Sequence, residues 1–185
     1  MSLHFRDLTA NEIDCRIGMC TEKGLTLLLY KDARCDMAIL DEKVGPENWE
    51  REHYECKGNL FCKVGINRNW DKSADFRDMV YKSDCGTESN TEKEKGEASD
   101  SFKRACVNWG IGRELYTAPF IWVKAEDCQI KSSEFQGKKR YTCKDNFIVE
   151  KIVIENKRIT AIAIRNATLN KRVFVHQEPK QEQKK

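Results

Sequence analysis

The sequence predicts an α+β protein in which an antiparallel β-meander packs on a long helix, followed by a small C-terminal β-meander. Three observations carry this expectation. Apolar residues recur with helical spacing in two segments, 33–44 and 98–109. Short alternating runs bounded by turn residues lie between them. Beyond Pro119, three further β-rich runs follow one another with turns in between.

Residues 1–11 read as a short helix or an arm. Ile13 to Tyr30 reads as two extended segments around Glu22-Lys23-Gly24, the second being the apolar run Leu25-Thr-Leu-Leu-Leu-Tyr30. Asp32 is a suitable cap for a helix running to about Val44, because its carboxylate can accept an otherwise unsatisfied amide of the first turn. Ala33, Met37, Leu40 and Val44 form its apolar stripe, and Gly45-Pro46 stops it. An extended stretch from Trp49 through Cys56, a turn at Lys57-Gly58-Asn59, a half-buried strand around Leu60, Cys62, Val64 and Ile66, a polar loop from Asn67 to Asp75, and a strand from Phe76 to Lys82 make the meander.

Thr91-Glu-Lys-Glu94 fits a capping box for the long helix, and Ser99 is an alternative cap because Gly96 weakens the first turns. Ala98, Phe102, Ala105, Cys106 and Trp109 form its core-facing stripe, and Gly110 and Gly112 end it. Trp109 therefore reads as packing. Residues 124–146 are polar and basic with little periodicity. The runs Phe147–Ile154, Ile159–Ile164 and Arg172–His176 read as a three-stranded meander, with turns at Glu155-Asn156-Lys157 and Asn166–Asn170. Gln177–Lys185 has no apolar residue and is expected to be disordered. The expected organisation is a core domain over 1–118, a basic segment and small meander over 119–176, and a tail over 177–185.

Of the 185 residues, 39% are hydrophobic and 34% charged, enough for one domain with a genuine core and a well-solvated surface. The net charge of +3 hides an asymmetry. Residues 1–123 hold 18 Lys and Arg against 22 Asp and Glu, whereas residues 124–185 hold 15 against 8. A basic end on a mildly acidic body suits an auxiliary contact with a polyanion, although a solvated basic surface explains charge alone equally well. No run of ~18 apolar residues occurs, so no membrane partner is expected, and the N-terminus does not read as a signal peptide. The nine cysteines include no Cys-x-x-Cys pair and fall mostly at apolar positions, which points to a reduced, cytoplasmic protein without disulfides or bound metal. His4, His53 and His176 are isolated.

No Ser/His/Asp or Cys/His set and no phosphate-binding Gly-rich loop is visible, so no enzyme activity and no cofactor are expected. One alternative has chemical content. Glu55-Cys-Lys57 on an extended segment, with Asp41 upstream, is a pattern that can hold magnesium and activate water for phosphodiester cleavage. Lys57 lies at a turn, however, and ordinary strand charges account for the pattern. On the long helix, Lys103 and Arg104 emerge beside the Phe102–Trp109 stripe, where a rigid element would hold adjacent cations for a phosphate backbone. A solvated Lys-Arg pair is the bland reading of the same two residues.

The segment Lys95-Gly-Glu-Ala-Ser-Asp-Ser-Phe-Lys-Arg-Ala-Cys-Val-Asn-Trp-Gly-Ile-Gly-Arg-Glu-Leu-Tyr116 resembles the signature helix of the Rad-fifty-two family as found in phage and bacterial annealing proteins. Tyr30-Lys-Asp-Ala-Arg34 with Val44-Gly-Pro-Glu-Asn-Trp49, and Lys82-Ser-Asp-Cys-Gly86, are similar to further family segments. Together they cover about residues 12–118.

The resemblance implies a Rad-fifty-two-like core and an oligomeric ring or filament whose meanders join edge to edge. It further implies ATP-independent binding of single-stranded DNA and annealing of complementary strands in recombination or break repair, in a bacterial cell or encoded by a phage. Lys103 and Arg104 would line the DNA groove, supported by Arg34. Trp70, Lys82 and Lys95 are further candidate contacts, and Trp70 either stacks on a base or caps its hairpin. Val107 departs from the family where some members carry another groove arginine. A single-strand-binding protein is a candidate partner beside single-stranded DNA and further copies of the chain. A DNA-end-protecting protein on the same fold is the other alternative to annealing.

Overall fold

A computed structural model describes residues 3–72, 77–87, 93–135 and 137–179. The segment after Ile13 forms β1 (Asp14–Thr21) and β2 (Gly24–Tyr30), paired antiparallel about the Glu22-Lys23 turn. Before them the described residues form an extended arm that ends in a 3-10 turn at Ala10–Glu12, the arm being one of the two expected forms. Next come α1 (Ala33–Val44), β3 (Trp49–Cys56), β4 (Asn59–Asn67), β5 (Met79–Cys85) and α2 (Lys93–Trp109). The rest of the described chain is β6 (Ile121–Lys124), β7 (Ile130–Phe135), β8 (Lys138–Cys143), β9 (Phe147–Glu155), β10 (Arg158–Asn166) and β11 (Lys171–Gln177). The protein is thus mixed α+β, with two α-helices and mainly antiparallel strands among the described residues.

The elements sort into two compact units. One takes the chain up to Asp7 together with Asp32–Arg113, and the other takes Leu8–Lys31 together with the chain from Glu114 onward. This division replaces the expected boundary at residue 118. The physical reason lies in the sheet registers. Leu25 and Leu27 face Val123 and Ile121 across the β2–β6 ladder, and all four are 0–3% exposed. The apolar run Leu25–Tyr30 therefore finds its partner strand almost a hundred residues downstream.

In the first unit, β3, β4 and β5 form an antiparallel meander against which α2 packs. Lys57 and Gly58 both adopt left-handed backbone, with φ of 54° and 74°. That conformation makes the tight two-residue turn between β3 and β4. Cys62, Val64 and Ile66 on β4 point into the core, as their alternation requires. β3 pairs only with β4 among the described residues, and Arg51–Cys56 are exposed throughout.

Asp32 caps α1 by accepting from the Arg34 amide at 2.8 Å, and Gly45 closes the helix at φ 83°. The buried face of α1 is Asp36, Ile39, Leu40 and Val44; Ala33 and Met37 are only half-buried. The expected stripe is therefore rotated by about one position, because the β-branched Ile39 enters the core. Phe102, Ala105 and Cys106 of α2 are fully buried, with Phe102 stacked on Trp49 at 6.1 Å. Gly110, at φ 96°, ends α2, and the amides of Gly110 and Ile111 bond back to Val107 and Cys106. Part of the expected capping box, Thr91 and Glu92, lies outside the described residues.

In the second unit, β11, β10, β9, β1, β2 and β6 form one six-stranded antiparallel sheet in that order. The expected three-stranded meander is real as β9–β11, but it is one half of this larger sheet. Its edge strands β6 and β11 come into contact, so the sheet curls toward a barrel around Leu25, Val123, Phe147, Ile159, Ile162 and Ile164. The stretch 124–146, read as a polar, basic segment with little periodicity, contains the hairpin β7–β8. Gln177, assigned to the tail, ends β11, and residues 180–185 lie outside the described residues.

Candidate nucleic-acid interface

The long helix fixes the orientation of the sequence-predicted cations. With Phe102, Ala105 and Cys106 at zero exposure, α2 cannot rotate without emptying its core. Lys103 and Arg104 consequently sit half-buried at the margin of the packed face. Arg104 places Nε 3.3 Å from an Asp84 oxygen on β5. Asn108 donates to the Ser83 carbonyl at 3.1 Å and to Asp84 at 3.4 Å. Lys82 donates to the Asn108 carbonyl at 2.8 Å and lies 4.6 Å from the Trp109 ring centre. These contacts make a polar seam between strand and helix that carries two candidate cations, Lys82 and Arg104.

Arg34 folds back on the cap of its own helix, its guanidinium 3.0 Å from the Asp32 carboxylate. The Arg34 hydrogen bonds, from side chain and then backbone, hold the Asp32 carboxyl below its usual range, and the charge of Lys103 adds to that effect. Asp32 in turn pushes the Arg34 guanidinium up. Arg34 is thereby engaged with the cap of its own helix, and Lys103 acts on Asp32 only through its charge. Arg104 points to Asp84 instead. Lys95 is exposed in the first turn of α2.

Trp70 follows β4, and the ammonium of Lys43 lies 5.2 Å from its ring centre. Beside it is an open cavity of about 330 Å³, walled by Trp70, Trp109, Ile66, Val80 and Leu3, with Asn67 and Arg68 at its polar side. Reading Trp109 as packing captured half of its role. Its indole N–H donates to the Val64 carbonyl at 3.1 Å, and part of the ring also faces this cavity. Lys43 and Arg68 carried no local signal in the sequence, because their relation to Trp70 and Trp109 exists only once β4 and both helices are packed. Arg113, also not singled out, donates to the Val107 and Asn108 carbonyls and adds a cation at the end of α2.

The nuclease residues are not assembled. Asp41 accepts the Trp49 indole N–H at 2.6 Å, while Glu55 and Lys57 lie on the exposed β3 edge and its turn. Among the described residues, no three His, Cys, Asp or Glu side chains come together as a ligand set. None of the nine cysteines forms a disulfide. Burial, with Asp14 adding, pushes the Cys15 thiol up to about 12, and burial pushes Cys62 up to about 11. Thiols so shifted stay protonated and are poor nucleophiles. No helix of the described residues is long and apolar enough to cross a membrane.

No family model, no curated protein and no solved structure matches this chain.

Proposed function

We propose that this chain binds single-stranded DNA through phosphate contacts and, as an oligomer, anneals complementary strands without ATP. The observation that carries the reading is the placement of Lys103 and Arg104 side by side at the half-buried margin of α2, a helix locked by Phe102. Cations held on rigid elements position a sugar–phosphate backbone without reading its bases, which is what strand pairing requires. The likeness of residues 95–116 to a Rad-fifty-two signature helix supports a single-strand-binding role. The exposed edge of β3 supports assembly, since an open strand edge can accept a neighbouring strand. The cytoplasm of a bacterial cell is the compartment that fits this activity.

The test is annealing of complementary oligonucleotides by the purified chain in EDTA without nucleotide, with native mass measured in parallel. Accelerated pairing by a particle well above a dimer is the expected result. A monodisperse monomer that leaves pairing at the spontaneous rate overturns the annealing reading. Tight binding by an oligomer without pairing would move end protection to the front, and magnesium-dependent cleavage lost in Glu55→Ala would restore the nuclease.

A further inference from the structure

Resting on the single-strand reading, we propose that the cavity between Trp70 and Trp109 is a nucleobase subsite that takes one unpaired base of a bound strand. Its volume of about 330 Å³ lies at the lower end of the range for small-ligand sites, room for a planar ring system and not for a base pair. Its walls are indole and aliphatic: the two tryptophans with Ile66, Val80 and Leu3. A base stacks on an aromatic face whatever its identity, so such walls suit a protein that must not read sequence.

Arg68 in its lining, and the ammonium groups beside its two tryptophan rings, favour this occupant over an apolar side chain. The Lys43 ammonium lies 5.2 Å from the Trp70 ring and the Lys82 ammonium 4.6 Å from the Trp109 ring. Arg68 stands at the rim with 67% of its side chain exposed, 3.4 Å from Asp78. A hydrophobic anchor from a protein partner would use none of these charges. A nucleotide uses both parts of the site, its base against the indoles and its flanking phosphates against the cations.

The wall is also pre-formed. Asn67, 5% exposed, donates to Asn48 at 3.0 Å and accepts from the Asn69 and Asp78 amides at 3.1 and 3.2 Å, which ties the Trp70 turn to the strands on either side. A base still paired in a duplex cannot enter, so the subsite would distinguish single from double strands.

The experiment is a fluorescence-anisotropy titration of the full chain with a labelled oligothymidylate and with an abasic strand of the same length. Trp70→Ala should weaken oligothymidylate binding by about 5-fold or more, the loss of one stacked base. Abasic affinity and the salt slope should stay as in the wild type, because stacking releases no counterions. Trp70→Phe should retain most of the affinity. If Trp70→Ala does not fold, Trp70→Leu, which keeps apolar bulk without a ring, carries the same comparison.

Unchanged oligothymidylate affinity overturns the subsite and leaves the single-strand reading standing. Equal weakening for both strands also overturns it, since the effect would then not depend on a base. Failure of the wild-type chain to bind either strand defeats the single-strand reading itself.

Discussion

Truncating Lys103 and Arg104 together probes the phosphate interface at its most rigid point. Each phosphate contact to a single strand contributes about 0.7 to the slope of log affinity against log salt. Two contacts would contribute about 1.4, so a fourfold rise in salt would cost the wild type about 7-fold more affinity than the double variant. Arg104 shares its guanidinium with Asp84 at 3.3 Å, which discounts its part. Lys103 acting alone sets the floor, a slope change of about 0.7 and a difference of about 2.6-fold.

Stability should hardly change in this variant. The core of α2 is Phe102, Ala105 and Cys106, and a partly exposed pair such as Arg104–Asp84 is worth only about 0–1 kcal/mol. The assay is anisotropy with labelled single strands of several sequences across a salt series. The reduction should be the same for every sequence, because the contacts position the backbone and do not read bases. A folded double variant with wild-type affinity and slope would refute the reasoning and leave Lys103 and Arg104 as an ordinary solvated pair.

Three further outcomes concern the scaffold. Phe102→Ala should cost roughly 3–5 kcal/mol in denaturant unfolding, because the ring is fully buried and stacked on Trp49; a loss below about 1 kcal/mol would contradict its role as the anchor of α2. Gly86→Ala should destabilise by about 1–3 kcal/mol or more, since its new methyl would sit 2.2 Å from the backbone oxygen of Glu97; an unchanged thermal midpoint would mean that α2 does not pack this closely on the end of β5. Hydrogen bonds from Arg172 and then Arg165 hold the Glu150 carboxyl at about 2, against an ordinary value of 4.5. With the folded-state value depressed, the stabilisation is complete above about 4.5 and is shed as pH falls toward about 2. Glu150→Gln should therefore lower neutral-pH stability and flatten the acid limb over that window in urea titrations; an equally steep limb in the variant would refute the link.

Much of the local structure was legible because its causes are local. Asp32 caps the first helix in the expected way and Gly45 ends it, and a carboxylate before an apolar-periodic run acts on amides two residues away. Alternation on β4 and the Lys57-Gly58 turn likewise depend on neighbours within a few residues. The candidate site was legible in part. Lys103 and Arg104 could be placed at the edge of a helix face from the stripe alone, and Arg34 at the start of another helix. The direction Arg104 takes could not, because Asp84 becomes its partner only through the packing of α2 on β5. The partner of Asp41 was likewise not legible, since the Trp49 indole that donates to it at 2.6 Å reaches it only when the chain folds back after α1.

What the sequence determined by itself is the order of elements from β1 to α2 and from β9 to β11, both ends of α1, the C-terminal end of α2 and the core face of β4 and α2, all set by periodicity and backbone preference within one element. Which strands belong together was decided only by the tertiary structure. β1 and β2 follow immediately before α1 in the chain, yet they complete a sheet with β6 and β9. A strand's apolar face says only that it needs a partner. The choice among partners is made by the register that buries Leu25 and Leu27 against Val123 and Ile121, and that register involves residues almost a hundred positions apart. The Trp70–Trp109 cavity arises in the same way, since a hollow belongs to several surfaces at once and no single stretch of sequence specifies it.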